Sequence, residues 1–442
     1  MDLMSLLLTS RALHSTTLAT LYKQVTIPHS AVFRKLLNHI EEFPALGTMV
    51  RRLDFSHFNN TGSGITARQR AETQNLTAST LLECLQHLPN LREFLAQELI
   101  VDELSADVLR TLFLMPQLRA MDFCAASSSG FKDAMLSVMR PPVLDELPEY
   151  LPTARLSFHE CTILPASVFE TLLPRLSRLA ILDVCHTRIT DKALMSIPET
   201  ARLTHLNISK CNLLTGDGVV EFFQKHKAVK GLVYLNLHFD SKSFELLDAN
   251  HLTELLKVLP PTLKYLNLKG SAMEPKHLPL LEPFTKHVEE LGFGRWVSYT
   301  DIKGLLRKPE EEDTKALAAW VPHELRYIDI SDMALNQIDF GHLFGRTTNA
   351  LDDRTLPLEV IEVQNNVYTR FQDRAGIFKK QGWVPKDGGG KRGWLVRDLS
   401  GVKDHDDGSR SWKMGATYWG MRKVPVAQAE VGGMYGMYMF KR

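Results

Sequence analysis

Residues 203–223 read LTHLNISKCNLLTGDGVVEFF, and the spacing within them decides the fold. Leu203, Leu206 and Ile208 are apolar, with His205 and Asn207 between them, which is the period-2 alternation of a short strand that buries one face. Thr215 then supplies a helix-capping hydroxyl, and Val219, Val220, Phe222 and Phe223 follow at helical spacing. The stretch predicts one strand and one helix, and neither can bury its apolar side alone.

The strand motif, apolar-x-x-apolar-x-apolar, recurs eleven times along the chain. Its copies are Val50-Leu53-Phe55, Leu91-Phe94-Ala96, Leu118-Met121-Phe123, Thr153-Leu156-Phe158, Leu179-Leu182-Val184, Leu203-Leu206-Ile208, Leu232-Leu235-Leu237, Leu263-Leu266-Leu268, Val288-Leu291-Phe293, Leu325-Ile328-Ile330 and Leu358-Ile361-Val363. A period this regular dictates the architecture before any motif is considered. Each unit must share its core with its neighbours, so the units stack into one continuous apolar interior.

Cys211 falls eight residues after Leu203 and Cys161 eight after Thr153, while LAILDVCHTRITDKAL, residues 179–194, places Thr187 at the same point. These stretches resemble the cysteine-containing class of leucine-rich repeats, whose LxxLxLxxC core is followed by I/L-T-D. The resemblance covers roughly residues 45–366. It implies an α/β fold, a leucine-rich repeat solenoid that is curved, with short parallel strands on the concave face and helices or irregular segments outside. The expected division is residues 1–28 as a helical segment, 29–366 as a solenoid of about eleven repeats, and 367–442 as a C-terminal cap or tail.

Residues 1–26 predict two short amphipathic helices, with Leu3, Leu6, Leu7, Leu13, Leu18 and Leu21 apolar, and Val25 to Pro28 then reads as strand-like. One reading is a helical cap on the open end of the stack. The string DLMSLLLTSRALHSTTLATLYKQVTI, residues 2–27, is also similar to the second half of fungal F-box domains, in which D-L-x-x-L is followed by S-R/K and L-L-Y-x-x-V/I. That family's opening helix, with its Leu-Pro, would precede Asp2, so the module is expected to be truncated at its N-terminus. The resemblance implies a substrate receptor of an SCF-type ubiquitin ligase, with a Skp-type adaptor and cullin as partners and Leu3, Leu6 and Leu7 at the adaptor contact. Alternatively the chain is an adaptor-independent scaffold that kept the solenoid and lost the F-box.

Strand alternation turns the repeat into a predicted surface. Counting from the first apolar residue of each unit, the third position gives His205, Tyr234, Tyr265 and Tyr327, and the fifth gives Asn207, Asn236 and Asn267, among others. The seventh adds His238 and Lys269. Tyrosines beside amides and charges are the composition of interface hot spots, so these nine residues are the expected contact face for a protein partner. The competing reading is that short polar residues recur there because one side of a half-buried strand must be polar.

His159, Cys161, Cys185, His186 and Cys211 are zinc-ligand types in neighbouring repeats. Cys161 and Cys211 should point into the core, and Cys185 and His186 should alternate on and off the strand face. No convergent set is therefore expected, and the five cysteines of the chain read as reduced thiols rather than as a disulfide framework. Gly62-Ser63-Gly64-Ile65-Thr66-Ala67 lacks the strand-helix context of a dinucleotide loop, and Gly388-Gly389-Gly390-Lys391 lacks the spacing of a phosphate loop. His159-Glu160-Cys161 has no PCxxC companion. With no nucleophile elbow or carboxylate pair either, the chain is expected to be non-enzymatic, with no cofactor.

The 442 residues carry 52 Lys and Arg against 51 Asp and Glu, so no global charge draws nucleic acid or acidic lipid. Residues 367–442 depart from this balance with 15 Lys and Arg against 7 Asp and Glu, and they hold four of the six tryptophans and 13 of the 26 glycines. A hairpin is expected there, from Gly393–Arg397 and Ser411–Gly415. The segment reads as a cap on the last repeat, or as a surface for an acidic protein or anionic lipid. Nucleic acid is not expected as a partner, although basic residues interleaved with Trp and Tyr would suit a single strand. No signal peptide or membrane-spanning stretch is visible, which points to an intracellular protein, in cytoplasm or nucleus.

Overall fold

The structure, a computed structural model, describes residues 3–56, 58, 75–96, 98–239, 245–334, 336–338, 340–345, 349–372, 374–387 and 392–398. The chain divides into two compact units, residues 1–201 and 202–442.

The first unit contains six strands in sequence order: β1 (Gln24–Thr26), β2 (Arg52–Asp54), β3 (Glu93–Leu95), β4 (Ala120–Asp122), β5 (Arg155–Ser157) and β6 (Ile181–Asp183). Each pairs in parallel with the next, and the register aligns Leu53, Phe94, Met121, Leu156 and Leu182 across the sheet. All five are 0–1% exposed, so each contributes about 1.5–3 kcal/mol by burial. Phe33, Phe55, Phe94, Phe123 and Phe158 form a ladder beneath the strands, with successive ring centroids 5.5–6.3 Å apart.

The second unit begins with β7 (His205–Asn207), β8 (Tyr234–Asn236), β9 (Tyr265–Asn267), β10 (Glu290–Gly292), β11 (Tyr327–Asp329) and β12 (Val360–Gln364), again parallel and in sequence order. Then β14 (Arg392–Arg397) pairs antiparallel with β12, and β13 (Trp383–Asp387) pairs antiparallel with β14. Each of the eleven sequence motifs carries one strand, β2 to β12, and β1 adds a rung ahead of them by pairing with β2. The fold is a leucine-rich repeat solenoid.

Helices run between the strands and start where the sequence places caps. Thr77, Ser105, Ser128, Thr190, Thr215 and Ser298 each accept a backbone N–H from the third residue of the helix that follows, and Asp248 accepts two. Such caps are worth about 1 kcal/mol each. The predicted helices after Thr190 and Thr215 are Asp191–Met195 and Gly216–Lys225.

Two expectations change. The N-terminal helices are present as Leu3–Leu6 and Arg11–Lys23, but the second is not amphipathic in the expected sense: it buries only Thr17, leaves Leu13 45% exposed and half-buries Leu18 and Leu21. The chain continues from Lys23 straight into β1, which fixes the helix at the rim of the sheet. The C-terminal hairpin also has a different partner, because Arg392–Arg397 pairs with Trp383–Asp387 and with β12. Pro385 can stand in β13 because, among the described residues, that strand lies at the sheet edge, where a missing N–H leaves no partner unpaired. Ser411–Gly415 lies outside the described residues, as do Gly62 to Ala67 and Gly388 to Lys391.

The hairpin is tied to the last repeat by polar contacts. The Trp383 indole donates to the Leu351 carbonyl at 2.7 Å, and the Arg397 guanidinium donates to the Leu358 carbonyl at 2.8 Å and to Asp353 at 2.9 Å while stacking over Trp383. Gly393 is required by close approach, since a Cβ there would lie 2.2 Å from the Tyr368 ring.

Candidate functional site

The nine residues expected on the contact face all lie on β7, β8, β9 and β11 or just after them. Their register places His205, Tyr234 and Tyr265 side by side on three adjacent strands. Parallel strands lie about 4.8 Å apart, so rings at matched positions stack. Tyr234 and Tyr265 do so with centroids 4.0 Å apart and planes within 10°, and His205 follows at 5.8 Å. Tyr327 stands apart from this ladder, since Glu290 occupies the intervening strand.

The tyrosines are buried: Tyr234, Tyr265 and Tyr327 are 2%, 1% and 1% exposed, while His205, Asn236 and His238 are half-buried. Burial, followed by the neighbouring Tyr234 for Tyr265 and the Glu362 carboxylate for Tyr327, holds both hydroxyls well above the ordinary tyrosine range. The Tyr327 hydroxyl donates to Glu362 at 2.6 Å and accepts from the Trp394 indole at 2.8 Å, and Glu362 also takes Arg392 at 2.9 Å. The sequence puts Glu362 at the fifth position of its repeat and Trp394 in an expected strand, but it does not bring these two and Arg392 together. Their meeting depends on the antiparallel return of β14 onto β12, which no local pattern announces.

Asn207, Asn236 and Asn267 perform a backbone task. Each side-chain oxygen accepts the N–H two residues on, at 3.3, 3.0 and 3.1 Å. Asp54, Asp122, Asp183 and Asp329 do the same in their own repeats, at 2.8–3.0 Å. Only Asp and Asn carry a carbonyl at the reach of this Asx turn, so the turn itself selects these residue types as the strand ends.

Lys269 is 6% exposed and reaches Asp329, 3.5 Å away and two strands over, and also Ser331. The path is open because β10 carries Gly292 where its neighbours carry Asn267 and Asp329. Burial alone would raise the Asp329 carboxyl, but Lys269 and Arg392 outweigh it and hold it below the usual range. The first unit uses the same device: Arg155 reaches Glu93 across the small Ala120 of β4. A small residue at a strand end, Gly292 closing β10 and Ala120 opening β4, is the signal in the sequence for such a crossing.

No family profile matches the chain. It is 29% identical over 273 residues to an F-box protein of Saccharomyces cerevisiae, a match that covers 57% of this chain and 34% of that protein. This is a leucine-rich repeat chain similar to a yeast F-box protein. The match spans about a third of the relative's own length. Among solved structures, the chain is similar to one titled as a complex of Rad7 and Elc1 in yeast, with TM-score 0.40, 13% identity and coverage of 72% of this chain and 79% of that one. It is also similar to a leucine-rich repeat-containing protein, LegL7, of Legionella pneumophila, with TM-score 0.27, 15% identity and coverage of 48% and 82%.

At the N-terminus of this leucine-rich repeat chain, Leu6 and Leu7 are half-buried and Leu8 is 90% exposed, while the side chain of Leu3 lies outside the described residues. The zinc-ligand types sort differently from expectation. Cys161 and Cys211 are fully buried and donate to backbone carbonyls of Phe123 and Ser209 at 3.1 and 3.4 Å, which is the inward ladder role the spacing predicts. Burial pushes the Cys161 thiol well up and the Cys84 thiol up to about 12, so these sulfurs are held protonated. Cys185, however, does converge with other ligand types, namely His159 and the overlooked Glu160, whose ligand atoms all lie within 4.8 Å of one another. Alternation failed as a guide because three residues past each strand end stands a left-handed residue, Glu160 at φ 59° and His186 at φ 54°, which turns the chain where a strand would have continued. Among the described residues, no helix is long and apolar enough to cross a membrane.

Proposed function

We propose that this chain is a non-enzymatic protein-interaction receptor of the F-box type, in which the repeats hold a protein partner and the N-terminal helices dock a Skp-type adaptor of an SCF-like ubiquitin ligase. The observation that carries this reading is the helix pair ahead of β1. Leu8, in the turn between the helices, and Leu13, in the second, are 90% and 45% exposed, and the helix Arg11–Lys23 contributes only Thr17 to the buried interior. A helix pair that leaves Leu8 and Leu13 in solvent and buries none of its described leucines fully suits an apolar partner surface. Similarity to a yeast F-box protein supports the same assignment. On the strand face, the half-buried His205, Asn236 and His238 carry the partner contact, with Tyr234, Tyr265, Tyr327, Asn207, Asn267 and Lys269 as its packed floor. The mechanism is positional: the receptor raises the local concentration of a target and supplies no reacting group.

The test is recovery of the tagged full chain from cells, with mass spectrometry for the adaptor and cullin, beside a Leu8→Asp/Leu13→Asp variant. Both positions are exposed, so the variant keeps its fold. Adaptor and cullin should accompany the parent chain and be lost at least tenfold in the variant. Recovery of other partners without the adaptor would instead make the chain an adaptor-independent scaffold, and adaptor retained by the variant would overturn the docking site.

A further inference from the structure

His159 and Cys185 occupy the same place in consecutive repeats, two residues beyond the paired ends Ser157 and Asp183 of β5 and β6. They are 6% and 5% exposed. Glu160 follows His159 in the left-handed turn, and its N–H donates to the Cys185 carbonyl at 2.8 Å. The turn therefore brings an imidazole, a carboxylate and a thiol from two repeats to one point, within 4.8 Å of one another. The corresponding pairs in other repeats, Cys124-Ala125, Ser209-Lys210 and Lys269-Gly270, offer no such set.

What distinguishes this cluster from three adjacent polar groups is what stands behind each of them. The His159 Nδ1 lies 3.1 Å from both oxygens of Asp183, which is 1% exposed. That contact makes Nδ1–H the donor to Asp183, the arrangement in which a carboxylate orients a metal-binding histidine. Burial alone would lower the imidazole's pKa, but Asp183 and Cys185 outweigh it and hold it well above the ordinary histidine value, so Nε2 gives up its proton when a metal binds. Asp183 Oδ1 also accepts the Cys185 N–H at 3.0 Å, so the same carboxylate positions the backbone of the thiol. Glu160 Oε2 accepts from His186 Nδ1 at 2.5 Å, which gives this carboxylate an outer partner. Two of the three ligand side chains thus have an outer partner on the side away from the cluster, and the third is held through its backbone.

We propose that His159, Glu160 and Cys185 bind one zinc ion, with Asp183 and His186 orienting the ligands from behind and water filling the fourth position. The donor set selects the metal. One nitrogen, one oxygen and one sulfur suit borderline-soft Zn2+, whereas Mg2+ and Ca2+ require oxygen ligands throughout. A tetrahedral site with bonds of about 2.0–2.3 Å holds its ligand atoms about 3.3–3.8 Å apart, so the cluster closes onto the ion by roughly an ångström. The thiol proton leaves on binding, and the ion pins the turns of two consecutive repeats together.

Cobalt(II) titration of the purified full chain provides the test, because a cobalt–thiolate bond gives a charge-transfer band in the near ultraviolet and tetrahedral cobalt gives visible bands. The parent chain should develop both, saturating at one equivalent, and Zn2+ should displace them. Cys185→Ser should abolish the charge-transfer band in protein whose circular dichroism is unchanged. Asp183→Asn keeps the oxygen that accepts the Cys185 N–H but removes the carboxylate from His159, so it should weaken Zn2+ binding by about 10–100-fold without unfolding the repeat. Glu160→Gln, at the solvent edge of the cluster, should alter the visible bands of a folded protein. A parent chain with no cobalt–thiolate band at one equivalent, or a band that survives in Cys185→Ser, would overturn the site.

Discussion

At the scale of single residues, the fifth position of the repeat shows how a polar side chain on a strand is chosen. Asn267 is 6% exposed, accepts the Lys269 N–H at 3.1 Å through Oδ1 and donates to the Tyr265 hydroxyl at 3.3 Å through Nδ2. Replacing it with Ala leaves a buried N–H without an acceptor, and such a group costs about 1–3 kcal/mol. Asn267→Ala should therefore lower the unfolding free energy read from urea titration of the full chain by that amount, while Asn267→Asp, which keeps the accepting oxygen, should lose less. Equal losses in the two variants would show that the turn does not depend on the oxygen. The sequence displayed this row of Asp and Asn plainly and allowed two readings of it. Alternation reveals which way a side chain points, not whether a nearby backbone N–H has already claimed it, and that second fact needed the left-handed turns that follow the strands.

At the scale of elements, strand register explains which long side chains meet. Lys269 on one side of β10 and Asp329 on the other are joined because β10 presents Gly292 between them. A Cβ at Gly292 would stand 2.4 Å from Asn267 Oδ1 and 3.0 Å from its Cγ. The Asn267 oxygen is itself held by the Lys269 N–H, so it cannot move aside without breaking the turn. Gly292→Ala should cost about 1–3 kcal/mol in urea unfolding, the range for overpacking a close-packed site. Because the clash falls on Asn267, the loss in the double variant Gly292→Ala/Asn267→Ala should be smaller than the sum of the single losses, and strict additivity would place the strain elsewhere. The eleven strands of the repeat were legible because all but one depend on three apolar residues at fixed spacing, Thr153 taking the first place in the exception. The hairpin of β13 and β14 was only half legible, since Gly393–Arg397 reads as a strand but its pairing partner is set by the edge that β12 leaves open.

At the scale of the whole molecule, stacked repeats make stability a sum of local terms, so a titrating group in one joint acts on the stack through its immediate neighbours. His323 sits in such a joint, ahead of β11, at 1% exposure. Its Nε2 contacts the Leu306 carbonyl at 2.7 Å and its Nδ1 the Leu325 N–H at 3.1 Å. The carbonyl needs a donor and the N–H needs an acceptor, so the ring is neutral in a single tautomer, and a proton added at Nδ1 would face the Leu325 N–H. Burial first, and Lys286 in addition, holds its pKa below the ordinary histidine value of 6.5. His238 in the same unit is shifted the same way, by burial and then by Lys269, Arg392 and Lys210. In the unfolded chain both histidines take up a proton as the pH falls through about 6.5, whereas the folded chain does not, so the unfolded state binds more protons below that pH. The stability these groups contribute is fully present above pH 6.5 and is lost as the pH falls from there toward the folded value. The urea midpoint should accordingly decline between pH 7 and pH 5, and the decline should be smaller in His323→Asn, whatever the absolute stability of that variant. Hydrogen exchange compared at matched intrinsic rates should locate the loosening around β10 to β12. A decline of equal size in His323→Asn would assign the proton uptake to other groups.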